Sequence, residues 1–457
     1  MSRRILCWLL GCIALVVLIG APRPARAERG DELTVAVLTF GPGNEAFDKF
    51  GHNAIWIRDD AARADWVYNF GTYHFDSNDI LVKFWQGRMR YWLSRRKGIE
   101  PTIRTYRRQN RTIIAQVLAL TGPQKADLYD RLEENALPEN REYRYDYYLD
   151  NCTTRVRDAI DVVTGGAVHE ASRAPGGMTF RQHTLRVSAD YKPLYVVLHL
   201  VMGGYIDKPI DQWAEMFLPE ELDEGLGRAQ LTLPDGRQVP LVKERRVIFE
   251  STRPPPPVEP PTWSPWFFLA GAIIGGGLAL LGFGAARQRG KPAGVAARIG
   301  LGALLSLFGF VIGFLGWFYL LSWAFTPHIV GYKNENTLQC APWAIALLVL
   351  GVGVAMGRPG AIRKSLLVVG AAAAFSALGL VLKALPWWFY QNNWQIIAFL
   401  LPFWAGATFG LFELDRSMRT AAAVPEPSAG PTKKKKKKAK PAEQPAAEPE
   451  AAKEAAG

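Results

Sequence analysis

The sequence predicts an α+β exported domain followed by an α-helical membrane domain of five spans. Apolar residues crowd the last third of the 457-residue chain in five runs, 266–284, 300–325, 342–357, 365–386 and 395–412. Each is near the roughly 17–25 residues that a spanning helix needs. Basic residues between the runs alternate in abundance. Arg287, Arg289, Lys291 and Arg298 fill the first loop and Lys333 stands alone in the second. Arg358, Arg363 and Lys364 fill the third loop, and the fourth, 387–394, has none. Arg-rich loops belong in the cytoplasm, so an odd number of spans leaves residues 28–265 on the outer side of an inner membrane. Within 28–252, strand-like and helix-like stretches mix without regular βαβ alternation, the pattern of the α+β class.

At the start, Arg3 and Arg4 precede an apolar run, 5–19, and a small-residue "ARA" at 25–27. This reads as a signal peptide over 1–27, or as an uncleaved anchor. Its removal would take Cys7 and Cys12 with it. Cys152 and Cys340 would remain, which is no disulfide framework. "ELTVAVLTF" (32–40), "NAIWIRD" (53–59) and "DWVYNFGTY" (65–73) predict strands, the last two joined by a polar turn into a hairpin. The stretch 123–137 predicts a helix. So does 153–166, where Val156, Ala159, Ile160 and Val163 share one face and Gly165–Gly166 end the run. "LYVVLHLVM" and "IDQWAEMFLPEELDEGL" also predict helices, and "LTLPDGRQVPLV" a small hairpin.

A proline-rich spacer, 253–265, leads to the membrane. The tail, 413–457, is rich in Lys, Ala and Pro and predicts a disordered cytoplasmic segment whose lysines lie on anionic lipid. The net charge of +12 is therefore divided between topology and tail. It implies a membrane partner, not nucleic acid.

Cys152 is the candidate nucleophile. Asp150 and Asn151 are natural N-caps, which puts Cys152 in the first turn of the 153–164 helix. There the helix dipole and free backbone N–H groups favour a thiolate and can hold an oxyanion. This placement predicts a depressed thiol pKa. The domain offers His52, His74, His169, His183 and His199 as bases. His52, directly after Gly51 at a strand mouth, is the best placed. Counting across the hairpin sets it level with about residues 69–72, so Asn69 can orient the imidazole. Asn151, Tyr147 and Arg155, beside the nucleophile, are candidate substrate contacts. The histidines lack paired spacing, so no metal or other cofactor is expected. The stretch 88–111 carries nine basic residues (Arg88, Arg90, Arg95, Arg96, Lys97, Arg104, Arg107, Arg108, Arg111) with Tyr91, Trp92 and Tyr106 interleaved. It reads as a headgroup surface or as a solvated basic face.

"FGHNAIWIRDD", "WVYNFGTYHFD", "KFWQGRMRYWLS", "ENREYRYDYYLDNCTTRVRDAID" and "WAEMFLPEEL" together resemble the periplasmic domain of Lnb-type lipoprotein N-acyltransferases. "NENTLQCAPW" and "QNNWQIIAFLLP" resemble the membrane part of the same proteins, so the similarity covers roughly residues 33–412. It implies a permuted NlpC/P60-like, papain-type fold with His52 and Cys152 as the catalytic pair. It also implies transfer of an acyl chain from a phospholipid donor to the α-amino group of a diacylglyceryl lipoprotein acceptor. Thr153 stands where that pattern leads one to expect alanine. Two other readings compete: a membrane-anchored thiol peptidase or amidase, which the number of spans disfavours, and a non-enzymatic envelope scaffold.

Overall fold

The computed structural model describes residues 28–73 and 80–422. The signal segment, His74 and the tail beyond 422 lie outside the described residues. The first domain is built on a seven-stranded sheet of β1 (Leu33–Phe40), β2 (His52–Asp59), β3 (Ala64–Thr72), β4 (Arg90–Lys97), β5 (Ile113–Leu118), β6 (Glu142–Arg144) and β9 (Val242–Phe249). Their order is β6-β4-β3-β2-β1-β5-β9, and every neighbouring pair is antiparallel. The two short strands β7 (Gln230–Thr232) and β8 (Gln238–Pro240) form the small hairpin expected there.

Side chains alternate across the central strands, as strand geometry demands. Val35, Val37, Ile55, Ile57, Tyr68 and Phe70 face one helical layer, where they meet Val156, Ile160 and Val163 of the Cys152–Val163 helix and Leu128 and Leu132 of the Gly122–Asn135 helix. Leu38, Phe40, Ala54 and Val67 face the other way, against Ile103 and Tyr106 of the Glu100–Arg108 helix. Burying each of the larger aliphatic side chains contributes about 1.5–3 kcal/mol, which fixes the Cys152 helix firmly beneath β2 and β3. "IDQWAEMFLPEELDEGL" is not one helix but two, Gln212–Glu215 and Pro219–Arg228. Pro219 sits in the first turn of the second, where its missing N–H costs nothing but where a continuous helix would have to break.

In the second domain, four helices are long and apolar enough to cross a membrane: Ser264–Arg287, Pro292–Phe325, Pro359–Leu382 and Trp394–Ala422. The fifth expected span, 342–357, is instead half of a bent pair. Ile329–Leu338 and Pro342–Ala355 meet at 68°, as a broken span or a re-entrant loop. The last helix also runs ten residues beyond 412, through Asp415 and its ion pairs with Arg363 and Arg419. Residues 413–422, expected to belong to a disordered tail, are therefore helical. The first and last helices pack backbone to backbone: a Cβ at Gly282 would lie 2.2 Å from the Gly410 carbonyl oxygen.

The two domains are joined by polar contacts. Asn334 and Asn336 donate to the Leu200 carbonyl, and Gln391 donates to the Met202 carbonyl at 3.0 Å. Lys383 and Glu335 form a buried ion pair beside them. On another side, Trp85 donates to Ser322 at 3.0 Å and Thr326 donates to the Trp85 carbonyl at 2.6 Å. The amide-rich outer loops, 326–341 and 387–394, thus clamp the exported domain to the membrane helices.

Candidate active site

Cys152 is the first residue of its helix. Asn151 caps that helix: its side-chain oxygen accepts the N–H groups of Thr153 and Thr154 at 2.8 and 2.9 Å. Thr154 returns the bond, accepting the Asn151 N–H at 2.8 Å. This reciprocal cap leaves the first-turn peptide groups pointed out of the helix. Gly165 and Gly166, both at positive φ (65° and 90°), end the helix as the sequence suggested.

Beneath the sheet, the thiol meets the hairpin at two points. Gly71 of β3, at φ 84°, comes so close that a Cβ there would lie 3.2 Å from the Cys152 Cβ. The backbone N–H of Asn53, the second residue of β2, reaches the Cys152 sulfur. The N–H groups of Cys152 and Thr153 point at the same atom, and the Thr153 hydroxyl lies 3.9 Å from it. The N–H groups of Asn53 and Cys152 thus converge from two elements where a negative charge on sulfur or on a bound carbonyl would sit, while that of Thr153 is also held by the Asn151 cap.

Directly before Asn53 stands His52. Its ring stacks on Phe40 at 5.9 Å between centroids and on Tyr106 at 6.2 Å, and hydrogen-bonds with the Asn69 side chain. The β2–β3 register, Ile55 opposite Tyr68 and Asp59 opposite Ala64, brings Asn69 within reach as the hairpin count expected. Behind Tyr106 lies Arg111, its guanidinium 4.7 Å from the ring centroid and anchored on the Gly41 carbonyl and Asp48. Among the described residues no hydrogen bond joins the His52 ring to the thiol directly; the two share Asn53 and Tyr106 as neighbours.

The electrostatics differ from the sequence expectation. Burial pushes the Cys152 thiol up from its ordinary value, although Thr153 and the three peptide N–H groups pull it down. The expected depression of the thiol pKa is therefore corrected: the helix terminus is outweighed by a crowded, poorly hydrated setting. Burial, and then the nearby Arg111 cation, push His52 down to about 4, against the small upward pull of Asn69. At neutral pH the pair is a neutral thiol beside a neutral imidazole.

The proposed substrate contacts are placed as follows. Asn151 is buried and fully engaged, since its amide also donates to the Tyr147 and Phe217 carbonyls, both at 2.9 Å. Its part is structural. Arg155 pairs with Asp150 and lies over the Tyr143 ring at 4.3 Å. Tyr147 packs edge-on against Phe50, Tyr148 and Phe217, with an enclosed hydroxyl that has no partner. The stretch 88–111 is not a single surface. Arg111 is buried, Tyr106 lies under His52, Tyr91 stacks on Tyr145, and Arg95 pairs with Glu133. Arg96, Lys97, Arg104 and Arg108 remain exposed.

Of the tyrosines around the thiol, Tyr143 and Tyr145 escaped the sequence reading, although a signal was present. In "EYRYDYYLDNC" Tyr143, Tyr145 and Tyr147 alternate, so an extended chain sets them on one side just before the cysteine. Of the other histidines, His183 and His199 are buried away from the thiol and His169 packs on Trp213. Among the described residues no cluster of His, Cys, Asp and Glu could hold a metal ion.

Residues 22–190, which contain every group described around the thiol, match the family model for the Lnb N-terminal periplasmic domain. No curated protein and no solved structure matches the chain. It is a multi-pass membrane protein with a periplasmic domain, and the family that this match supports for it is that of the Lnb-type lipoprotein N-acyltransferases.

Proposed function

We propose that this protein is a lipoprotein N-acyltransferase of the inner membrane, using Cys152 as nucleophile, His52 as base and Asn69 to orient the imidazole. The observation that carries this reading is the convergence at Cys152: a thiol on a capped helix terminus, the peptide N–H donors of Asn53 and Cys152 around its sulfur, and His52 on the residue before Asn53 in β2. The permuted NlpC/P60-like fold belongs to the same proposal, and a Cys-bearing helix beneath an antiparallel sheet that carries the histidine supports it.

The chemistry follows from the neutral pair. His52 takes the thiol proton as the sulfur attacks the acyl carbonyl of a phospholipid ester. The peptide N–H groups of Asn53 and Cys152 stabilise the oxyanion. The C–O bond breaks, the imidazolium returns its proton to the leaving alkoxide, and a lysophospholipid departs. The lipoprotein's α-amine then attacks the thioester. Its nitrogen bonds to the carbonyl carbon, the C–S bond breaks, and the amine proton passes through His52 to the sulfur. Both substrates lie in the membrane's outer leaflet, which accounts for a catalytic domain clamped to spanning helices. Mass spectrometry of lipoprotein N-termini tests the reading: cells with the protein should carry an extra N-linked acyl chain that cells with Cys152→Ser lack. Identical N-termini in both would refute it.

A further inference from the structure

Two stacks of aromatic rings stand near the thiol, one in each of the cores that sandwich the sheet. On one side Tyr145 stacks on Tyr91 at 4.2 Å, and Tyr91 in turn packs on Tyr73 at 5.1 Å. On the other, Tyr106 stacks on Phe40 at 3.7 Å and on His52 at 6.2 Å. The sheet links the first stack to the thiol: Tyr91 pairs with Tyr143, and a Cβ at Gly71 would lie 3.9 Å from the Tyr143 hydroxyl and 3.2 Å from the Cys152 Cβ. Tyr91, Tyr145 and Cys152 pack against the same hydrophobic core. These rings come from strands, a helix and a loop that share no local sequence, yet they stand near one atom.

We propose that the Tyr91–Tyr145 wall is a specificity determinant that excludes water from the acylated thiol, so that an amine and not water resolves it. This rests on the acyltransferase reading above. A thioester is open to both nucleophiles. Aminolysis gives an amide and the free thiol, with the amine proton passing to the sulfur. Hydrolysis gives a fatty acid and the same thiol, with the proton taken from water. Bulk water is vastly more concentrated than any lipoprotein amine, so a transferase must keep it out of the slot. Large flat rings do so. Tyr145 and Tyr91 act by enclosure and are not catalytic residues.

The test is the product ratio in single turnovers of the full chain in phospholipid vesicles with a diacylglyceryl lipopeptide acceptor. Free fatty acid and N-acylated peptide are counted by mass spectrometry. Tyr145→Ala and, separately, Tyr91→Ala should raise the fatty acid to amide ratio about tenfold or more, a change of about 1.4 kcal/mol in relative barriers. Tyr145→Phe, which keeps the ring, should hold the wild-type ratio. The proposal is overturned if both alanine variants lose the two products in equal proportion, or if Tyr145→Phe shifts the ratio as far as Tyr145→Ala. A wild type that forms neither product refutes the acyltransferase reading itself, a different result.

Discussion

Asn151→Ala separates a structural cap from a substrate contact. The side chain is 4% exposed and makes four hydrogen bonds, two accepted from Thr153 and Thr154 and two donated to Tyr147 and Phe217. Losing an N-cap costs about 1 kcal/mol. Stripping the donor from two enclosed carbonyls adds about 1–3 kcal/mol for the pair once partial relaxation is allowed. The expected loss is therefore about 2–4 kcal/mol, or roughly 5–15 °C in the apparent Tm of a domain of this size. Thermal unfolding of the full chain in detergent, followed by tryptophan fluorescence, reads it out. Asn151→Ser, which keeps an oxygen at the cap and loses the donors, should fall between alanine and wild type. An unchanged Tm with acyl transfer abolished would refute the reasoning and return Asn151 to the substrate site.

Four further outcomes are expected. Gly71→Ala forces a left-handed residue to carry a Cβ against Cys152, at about 1–2 kcal/mol of backbone strain, and should slow thioester formation in a chain that still inserts; a wild-type rate would contradict the close approach. Because His52 is held down near 4, the base form persists through the acid range, and the acid limb of single-turnover acylation should fall near pH 4 and not near the ordinary 6.5. Conversely the thiol, pushed up by burial, should alkylate slowly with iodoacetamide at pH 7 and faster only above the ordinary cysteine range; rapid reaction at pH 6 would show a preformed thiolate instead. Finally, Asn336→Ala with Gln391→Ala cuts the bonds to the Leu200 and Met202 carbonyls. It should slow acylation from bilayer phospholipid while sparing that from a water-soluble short-chain ester; equal loss on both would mean that the clamp holds the site together and not its height above the membrane.

What the sequence disclosed is what short-range rules govern. The β2–β3 hairpin follows from two alternating runs and a polar turn, and its count brings Asn69 to His52. The capped helix follows from Asp-Asn-Cys-Thr-Thr before an apolar face and Gly165–Gly166 after it. The sheet beyond β1 was out of reach, because β5 pairs with β1, and β9 with β5, more than seventy and two hundred residues away from β1. The direction of the Cys152 pKa was misread for the same reason. A helix terminus is visible in six residues, whereas the burial that outweighs it depends on how separate segments, Gly71 of β3 among them, close over the cysteine. Composition alone could not show that 342–357 bends against 329–338, or that Asn334, Asn336 and Gln391 turn inward to hold the exported domain. Amides beside a membrane look the same whether they face lipid headgroups or a protein carbonyl.

The most direct measurement of the central claim is the site of the covalent intermediate. The full-length protein is mixed with phospholipid in the absence of an amine acceptor, quenched in acid, digested and examined by mass spectrometry. The account predicts a hydroxylamine-labile acyl group on the peptide bearing Cys152, chased to an amide when a lipopeptide amine is added, and no such thioester in Cys152→Ser. An acyl group mapped to Cys340, or a Cys152→Ser protein that still N-acylates at the wild-type rate, would contradict it.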